Sequence, residues 1–332
     1  MKTYFNILGY KKLLVVLMAL IVFRISITIP FCKAFLVEPT TQLSIFLMFA
    51  FGLVFIFAGN NVVDIFFEEK RKIQKQINKK NIRLKDYPDI KKLQGLYIIL
   101  EAVGIIACMS AIFWQGNSFI NYILVIILTI DGYGYAYTGK KQYKIGNRAM
   151  AIMYVMLFAN IYFFDYFPLY TSLKNSLMES PFLQNLKDAN FIITAANIIL
   201  CTMVYLLTMA WDITGDLTNI KEDKQKNYNT LAIVLGEEKT KKLLYFYIVL
   251  IIVAYGVYWY FTMPYLNIAA LFIGLGLLAL PLIYYVVQLK QAKKNTDYNA
   301  LYSLLGMVFI SILFIMSFIK NIFLNEQLAI TL

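Results

Sequence analysis

Apolar stretches of about twenty residues alternate with short polar connections along almost the whole chain. Within them the apolar residues do not alternate with a period of two, which favours helices over the strands of a barrel. A bilayer core needs roughly twenty apolar residues per spanning helix, and backbone groups in lipid must be paired internally. The pattern therefore predicts an all-α integral membrane protein with about nine transmembrane helices. The predicted segments are Leu13–Leu36, Leu43–Asp64, Leu96–Phe113, Phe119–Tyr137, Ala149–Phe167, Asn190–Trp211, Leu243–Phe261, Leu266–Val287 and Leu301–Ile319.

The distribution of basic residues predicts the orientation of these helices. The chain carries a formal net charge of +12, and its lysines and arginines cluster in every second connection. Because basic connections stay in the cytoplasm, the N-terminus is predicted to be cytoplasmic and residues 325–332 to lie outside. The connection Asp165–Asn190 is predicted to be one of the outer ones. Membrane lipids account for the basic excess, and nothing resembles a nucleic-acid reader, so no nucleic-acid partner is expected.

Composition restricts the chemistry that the chain can perform. It contains no histidine, which removes the commonest general base and the usual catalytic zinc ligands. Cys32, Cys108 and Cys201 lie singly in apolar segments and are predicted to be small core residues. The polar stretches are too short to bury a core of their own. We therefore expect a single transmembrane domain over residues 1–332.

Two acidic stripes lie at predicted cytoplasmic helix ends. Their members recur every three or four residues, so each stripe occupies one face of a helix. The first consists of Asn61, Asp64 and Glu68, and the second of Asp212, Asp216, Asn219 and Asp223. Like charges one turn apart repel each other, which a bound cation would offset, and oxygen ligands favour Mg²⁺. For either stripe alone, a solvated helix end facing water is the alternative interpretation.

A third polar cluster, residues 135–147, follows the fourth predicted segment on the same face of the membrane. Its lysines, including Lys141, can bind phosphate, although topology alone would also place lysines here. Two carboxylate stripes and a lysine cluster around an apolar cavity suit a substrate with a diphosphate head and an apolar tail. Metal and lysine would neutralise the leaving diphosphate while an allylic cation forms among aromatic rings.

The first acidic motif resembles one found in the UbiA superfamily of intramembrane prenyltransferases, and the resemblance covers most of the chain. Residues 60–68 read Asn-Asn-x-x-Asp-x-x-x-Glu, similar to the family's Asn-Asp-x-x-Asp-x-x-x-Asp. A second frame puts Asp64 at the family's asparagine and Lys72 at its last aspartate. Asp64 and Glu68 are polar in both frames. The family's Asn-Lys-Pro-x-Arg segment is missing at its expected distance from this motif.

The second motif is closer to the family pattern. Residues 216–223 read Asp-x-x-Asn-x-x-x-Asp, where the family has Asp-x-x-Asp-x-x-x-Asp. The Thr-Leu pair at 230–231 keeps the family's spacing, while Asn227 replaces a glycine. Tyr137-x-x-x-Lys141 is similar to the family's Tyr-x-x-x-Lys element. These elements follow the predicted segments at the positions where the family has them.

The resemblance implies a ring of helices around a central, lipid-open cavity, in the cytoplasmic (inner) cell membrane, with the site facing the cytoplasm. It also implies Mg²⁺-dependent transfer of a prenyl group from a polyprenyl diphosphate to a lipophilic or aromatic acceptor. Quinone or lipid biosynthesis is the expected setting. The implied catalytic and metal-binding residues are Asp64 and Glu68 for one metal and Asp216 and Asp223 for another. The implied diphosphate-binding and secondary residues are Lys141, Tyr137, Asn61, Asn219 and Asp212.

Two other functions remain open from the sequence. A catalytically silent family member that binds an isoprenoid lipid is consistent with the substitutions in the first motif. A membrane transporter is consistent with the charged residues Arg24, Glu101 and Asp131 inside predicted spans, because such residues are costly and often functional.

Overall fold

The structure is a computed structural model that describes residues 10–35, 37–80, 88–116, 119–138, 146–180, 183–226, 228–262 and 272–316. This part of the chain is all-helical and contains nine helices long and apolar enough to cross a membrane, as predicted. We number them in chain order. They are α1 (Leu13–Ala34), α2 (Leu43–Lys80), α3 (Pro88–Gln115), α4 (Phe119–Thr138), α5 (Gly146–Ser176), α6 (Leu183–Lys226), α7 (Glu237–Thr262), α8 (Phe272–Gln291) and α9 (Asn295–Met316).

Two helices extend well beyond their apolar cores. α2 continues 16 residues past Asp64, to Lys80, and α6 is 44 residues long. The polar residues in these extensions are compatible with a helix in water, so the helices do not end where hydropathy falls. Both acidic stripes consequently lie on continuous helices. The short helix Leu231–Leu235 then leads into α7.

Three helices contain a π-helical segment two residues before a proline. The segments Arg24–Thr28, Tyr162–Tyr166 and Leu275–Ala279 precede Pro30, Pro168 and Pro281. Proline lacks an N–H and crowds the carbonyl four residues earlier, and a wider turn relieves that crowding. In α5 this carbonyl belongs to Phe164, and the Thr41 hydroxyl donates to it at 3.5 Å.

A buried ion pair joins α1 to α5 in the part of the bundle away from the acidic stripes. Nη1 of Arg24 lies 3.1 Å from Oδ1 of Asp165, and Nη2 donates to the Thr41 carbonyl at 2.7 Å. Thr28 donates to the second Asp165 oxygen at 2.6 Å. The predicted segment Ala149–Phe167 contains Asp165, and the helix continues past it to Ser176, so the connection begins later than the predicted Asp165. Arg24 thus has a structural partner, which weakens its value as evidence for transport.

Glycines let α2 approach its neighbours closely. A Cβ on Gly52 would lie 2.9 Å from the Gly104 carbonyl of α3, and one on Gly59 would lie 2.7 Å from a carboxylate oxygen of Glu101. On α4, a Cβ at Gly132 would overlap the buried side-chain amide of Asn60. Small residues at such positions are a common means of packing membrane helices. They fix α2, and with it the first acidic stripe, against α3 and α4.

Candidate active site

A cavity of about 390 Å³ lies where α2, α4, α5, α6 and α9 approach one another at the predicted cytoplasmic face. Both acidic stripes contribute to its walls. The predicted residues on these walls are Asp64, Glu68, Asp212, Asp216, Asn219 and Asp223. Further polar residues on the walls are Tyr135, Asn147, Thr218, Glu222, Tyr228, Thr230, Asn299 and Tyr302. Side chains that are far apart in sequence therefore share one polar chamber.

The buried hydroxyl of Tyr135, on α4, marks the point where the two stripes come together. Three carboxylates lie close enough to this hydroxyl to interact with it electrostatically: Asp64 on α2, and Asp212 and Asp216 on α6. Asp212 and Asp223 also lie within electrostatic range of Asp216. Such a concentration of negative charge in a partly buried chamber is unfavourable unless cations or hydrogen-bond donors accompany it.

Two donors hold the Asp216 carboxylate in place. Nδ2 of Asn147, on α5, lies 3.2 Å from Oδ2 of Asp216. The backbone N–H of Leu231 also donates to this carboxylate. Leu231 is the first residue of the short helix after α6, and Tyr228 leads into it by donating its N–H to the Asp223 carbonyl at 2.9 Å. The Thr-Leu element of the second motif, residues 230–231, therefore brings the backbone back into contact with the acidic stripe of α6.

Among the described residues, no three aspartate, glutamate, histidine or cysteine side chains converge closely enough to form a complete metal-binding group. This donor set nonetheless suits Mg²⁺, which commonly takes one or two protein carboxylates and completes its shell with water and substrate phosphate. Carboxylates from two helices on one chamber wall can each supply such a partial set. A metal held this way needs the substrate's phosphates as well as the protein.

Aromatic rings pack against one another below the acidic walls, on the side away from the predicted cytoplasmic face. Ring centroids of Tyr154 and Phe309 lie 5.2 Å apart, those of Phe57 and Tyr154 5.8 Å apart, and those of Trp211 and Phe309 5.9 Å apart. Tyr154 and Tyr302 both lie within electrostatic range of Asp212. In the described part of the chain, the chamber therefore has polar walls towards the predicted cytoplasmic face and aromatic rings towards the membrane interior.

Two predicted site residues do not line the chamber, and a third lies outside the described residues. Tyr137 does not line the chamber: it is 58% exposed and packs against Phe67 and Tyr133. Two residues along a helix turn the side chain by about 200°, so Tyr135, and not Tyr137, faces the carboxylates. Asn61 is half-buried and does not line this chamber. Lys141 lies outside the described residues.

Arg71 lies beside the chamber wall, and the sequence analysis did not select it. Its guanidinium lies 5.5 Å from the ring centre of Tyr228, a residue of the chamber wall. Its Nε and Nη2 atoms are buried and have no hydrogen-bond acceptor among the described residues. Arg71 follows Glu68 by three positions and Asp64 by seven, so helical spacing was the available signal. The sequence analysis had attributed the basic residues of this connection to membrane topology and to membrane lipids.

Comparisons with known proteins identify relatives with the same fold. A digeranylgeranylglyceryl phosphate synthase structure aligns with a TM-score of 0.63 at 17% identity, over 97% of this chain and 98% of that one. A UbiA homologue from Archaeoglobus fulgidus aligns with TM-scores of 0.58 (12% identity, bound to GPP and Mg²⁺) and 0.56 (14% identity, bound to DMAPP and Mg²⁺). Both alignments cover 94% of this chain and 98% of the Archaeoglobus fulgidus chain. No curated protein sequence matches significantly. Residues 25–313 match the profile of the UbiA prenyltransferase family, and the chain therefore belongs to that family.

Proposed function

We propose that this protein is a Mg²⁺-dependent intramembrane prenyltransferase that moves a prenyl group from a polyprenyl diphosphate to an aromatic or lipid acceptor. The carrying observation is the single chamber that collects carboxylates from both α2 and α6. The fold and family support the same reaction class, and the Mg²⁺-bound and prenyl diphosphate-bound relatives support the substrate and the metal. Quinone or lipid biosynthesis is the proposed setting, at the cytoplasmic face of the membrane.

The carboxylates are proposed to divide between two metal positions. Asp64 and Glu68 would hold one Mg²⁺ from α2, and Asp216 and Asp223 would hold the other from α6. When bound, Mg²⁺ would supply positive charge for the diphosphate leaving group. Asn147 keeps one oxygen of Asp216 oriented towards α5, so the carboxylate is fixed before substrate arrives.

The remaining polar groups act on the substrate directly. Arg71 offers two guanidinium N–H groups to the diphosphate, and Lys141 is proposed to act with it. The C–O bond of the prenyl diphosphate breaks and the diphosphate leaves with the electron pair, while the allylic carbon becomes positive. The rings of Tyr154 and Phe309 lie below the carboxylates, where their faces can stabilise that charge. Asp212, near two tyrosines, is placed to accept the proton that the acceptor loses on bond formation.

Purified protein in lipid nanodiscs should release diphosphate from geranylgeranyl diphosphate when Mg²⁺ and a panel of lipid and aromatic acceptors are present, and not when EDTA replaces Mg²⁺. The double variant Asp216→Asn/Asp223→Asn should lose at least about a hundredfold in rate. Asp188→Asn is the matched control, because Asp188 is an exposed residue of the same helix far from the chamber. Equal activity in all three proteins would reject the assigned site.

A catalytically silent, isoprenoid-binding member of the family is the second candidate. It is favoured by Glu68 and Asn219, which replace aspartates of the family motifs. In that case the wild-type protein would bind geranylgeranyl diphosphate in a Mg²⁺-dependent manner, and Asp216→Asn/Asp223→Asn would weaken binding. Neither protein would form a prenylated product with any acceptor in the panel. Binding measured alongside turnover therefore separates the two functions.

A further inference from the structure

A second cavity, of about 310 Å³, lies between α2, α3 and α4 at the same predicted cytoplasmic face. We call it the α2–α4 groove. Its polar wall residues are Lys70, Lys91, Gln94, Tyr97 and Tyr133. The rest of its wall is apolar and includes Phe66 and Phe67. Neither the proposed reaction nor the acidic motifs use any of these side chains.

The α2–α4 groove is separate from the acidic chamber because α2 presents a different face to each. Asp64 and Glu68 line the chamber, whereas Phe67 and Lys70 line the groove. Phe67 lies three positions after Asp64, and Lys70 lies two positions after Glu68. At 100° per residue these steps turn the side chain by about 300° and about 200°, which takes the groove residues off the face of α2 that lines the chamber. A ligand can therefore occupy the groove without entering the chamber.

The chemistry of the groove wall is opposite to that of the chamber wall. Every polar side chain on the described wall carries a hydrogen-bond donor, and no carboxylate is among them. Lys70 extends over two rings, with its ammonium 5.7 Å from the centre of Phe66 and 6.0 Å from that of Phe67. Lys91, on α3, is exposed beside it. Two cations from different helices and three uncharged donors select an anion.

The aromatic part of the groove indicates that this anion belongs to an amphiphile. Tyr97 and Tyr133 stack with centroids 6.3 Å apart, and Phe67 meets Tyr133 edge-on at 5.5 Å. Ile98, at the groove, is 53% exposed on the surface that faces lipid in a spanning helix. Tyrosine rings at the membrane interface have a polar end for the head group and an apolar body for the chain. A soluble anion would make no use of this apolar wall.

We propose that the α2–α4 groove binds the phosphate head group of an anionic phospholipid. Lys70 and Lys91 pair with the phosphate, the hydroxyls of Tyr97 and Tyr133 donate to it, and an acyl chain runs over Ile98 towards the bilayer centre. Basic pockets between transmembrane helices at the cytoplasmic side bind anionic lipid head groups in this way. The site is independent of the prenyl diphosphate chamber, so its occupancy does not depend on the proposed reaction.

The test is native mass spectrometry of the full-length protein released from nanodiscs containing phosphatidylglycerol and phosphatidylcholine. The wild type should retain phosphatidylglycerol selectively. Lys70→Gln/Lys91→Gln should reduce that retention roughly tenfold to thirtyfold, since each lysine contributes to the attraction. Lys290→Gln/Lys293→Gln is the matched control, because it removes the same charge from exposed positions on the same membrane face. The control should retain phosphatidylglycerol like the wild type.

Equal retention in the two double variants would overturn the proposal, because it would show that overall charge and not the groove attracts the lipid. Tyr133→Ala keeps both lysines and removes a wall of the groove. It should also lower retention, and unchanged retention in this variant would count against the site. Displacement by millimolar inorganic phosphate would overturn the assignment to a lipid, because the apolar wall would then contribute nothing.

Discussion

The side-chain amide of Asn147 lies 3.2 Å from the carboxylate of Asp216, and this contact links the first turn of α5 to the second acidic stripe. Asn147 is 5% exposed, so the hydrogen bond is protected from water. It holds Oδ2 of Asp216 and so fixes the direction of the carboxylate. Groups that orient a metal-binding carboxylate commonly affect metal affinity almost as much as the ligands themselves.

Asn147→Leu should therefore weaken Mg²⁺ use without removing a ligand. We expect the Mg²⁺ concentration for half-maximal activity to rise about tenfold to a hundredfold. The measurement is a Mg²⁺ titration of diphosphate release, with Gln184→Leu, an exposed residue of α6, as the control. A lower maximal rate with an unchanged Mg²⁺ dependence would contradict the orienting role.

Arg71→Gln should weaken binding of the prenyl diphosphate. A hydrogen bond to a charged group contributes about 1.5–3 kcal/mol, which corresponds to an increase in Kd of roughly tenfold to a hundredfold. Arg71→Lys should recover part of the affinity, because it restores the charge without the two-pronged geometry. Equilibrium binding of geranylgeranyl diphosphate in Mg²⁺ tests this. An unchanged Kd in Arg71→Gln would show that the guanidinium contacts Tyr228 without contributing to diphosphate binding.

Two glycines of α4 should respond in opposite ways to the same substitution. Gly132→Ala places a methyl group against Asn60 and should destabilise the protein by about 1–3 kcal/mol. Gly134→Ala meets no atom within 4 Å of its Cβ, so it should be neutral or stabilise the helix by up to about 1 kcal/mol. Thermal unfolding in detergent compares the two. Similar unfolding temperatures would contradict the close α2–α4 packing.

Removal of one partner of the Arg24–Asp165 pair should be far more harmful than removal of both. Arg24→Met leaves a buried carboxylate without its counter-ion and should cost about 3–5 kcal/mol. The double variant Arg24→Met/Asp165→Leu should recover much of that loss, because no uncompensated charge remains. Thermal unfolding is again the measurement, with Lys33→Met, an exposed position of α1, as the control. Additive losses would show that the two residues act independently.

Hydropathy was sufficient to predict the number and order of the spanning helices, because the bilayer requires apolar runs of one length. It could not locate the ends of α2 and α6, since polar residues are compatible with a helix that leaves the membrane. It also began the connection after the fifth segment too early, at Asp165, whose charge is neutralised by Arg24, a residue 141 positions away. Such partners follow from tertiary packing, and hydropathy along the chain does not contain them.

Helical spacing identified the carboxylates that line the chamber, because three- and four-residue steps define one helix face. It did not decide between Tyr135 and Tyr137, which lie on opposite sides of α4. That choice depends on how α4 is rotated against α2, and the packing of Gly132 on Asn60 sets this rotation. Arg71 was missed for a related reason. A basic residue that sets topology and one proposed to bind an anion look alike in the sequence, and only a neighbour such as Tyr228 distinguishes them.

The 44-residue length of α6 affects how a molecule with a charged head and a hydrocarbon chain can reach the chamber. At 1.5 Å per residue the helix extends about 66 Å, more than twice the roughly 30 Å of bilayer hydrocarbon. A helix of this length extends its aspartates beyond the hydrocarbon layer while its other end stays within the membrane. A charged head can thus dock from water while its hydrocarbon chain stays among lipid tails. The charged head therefore does not have to enter the hydrocarbon, and the chain does not have to enter water.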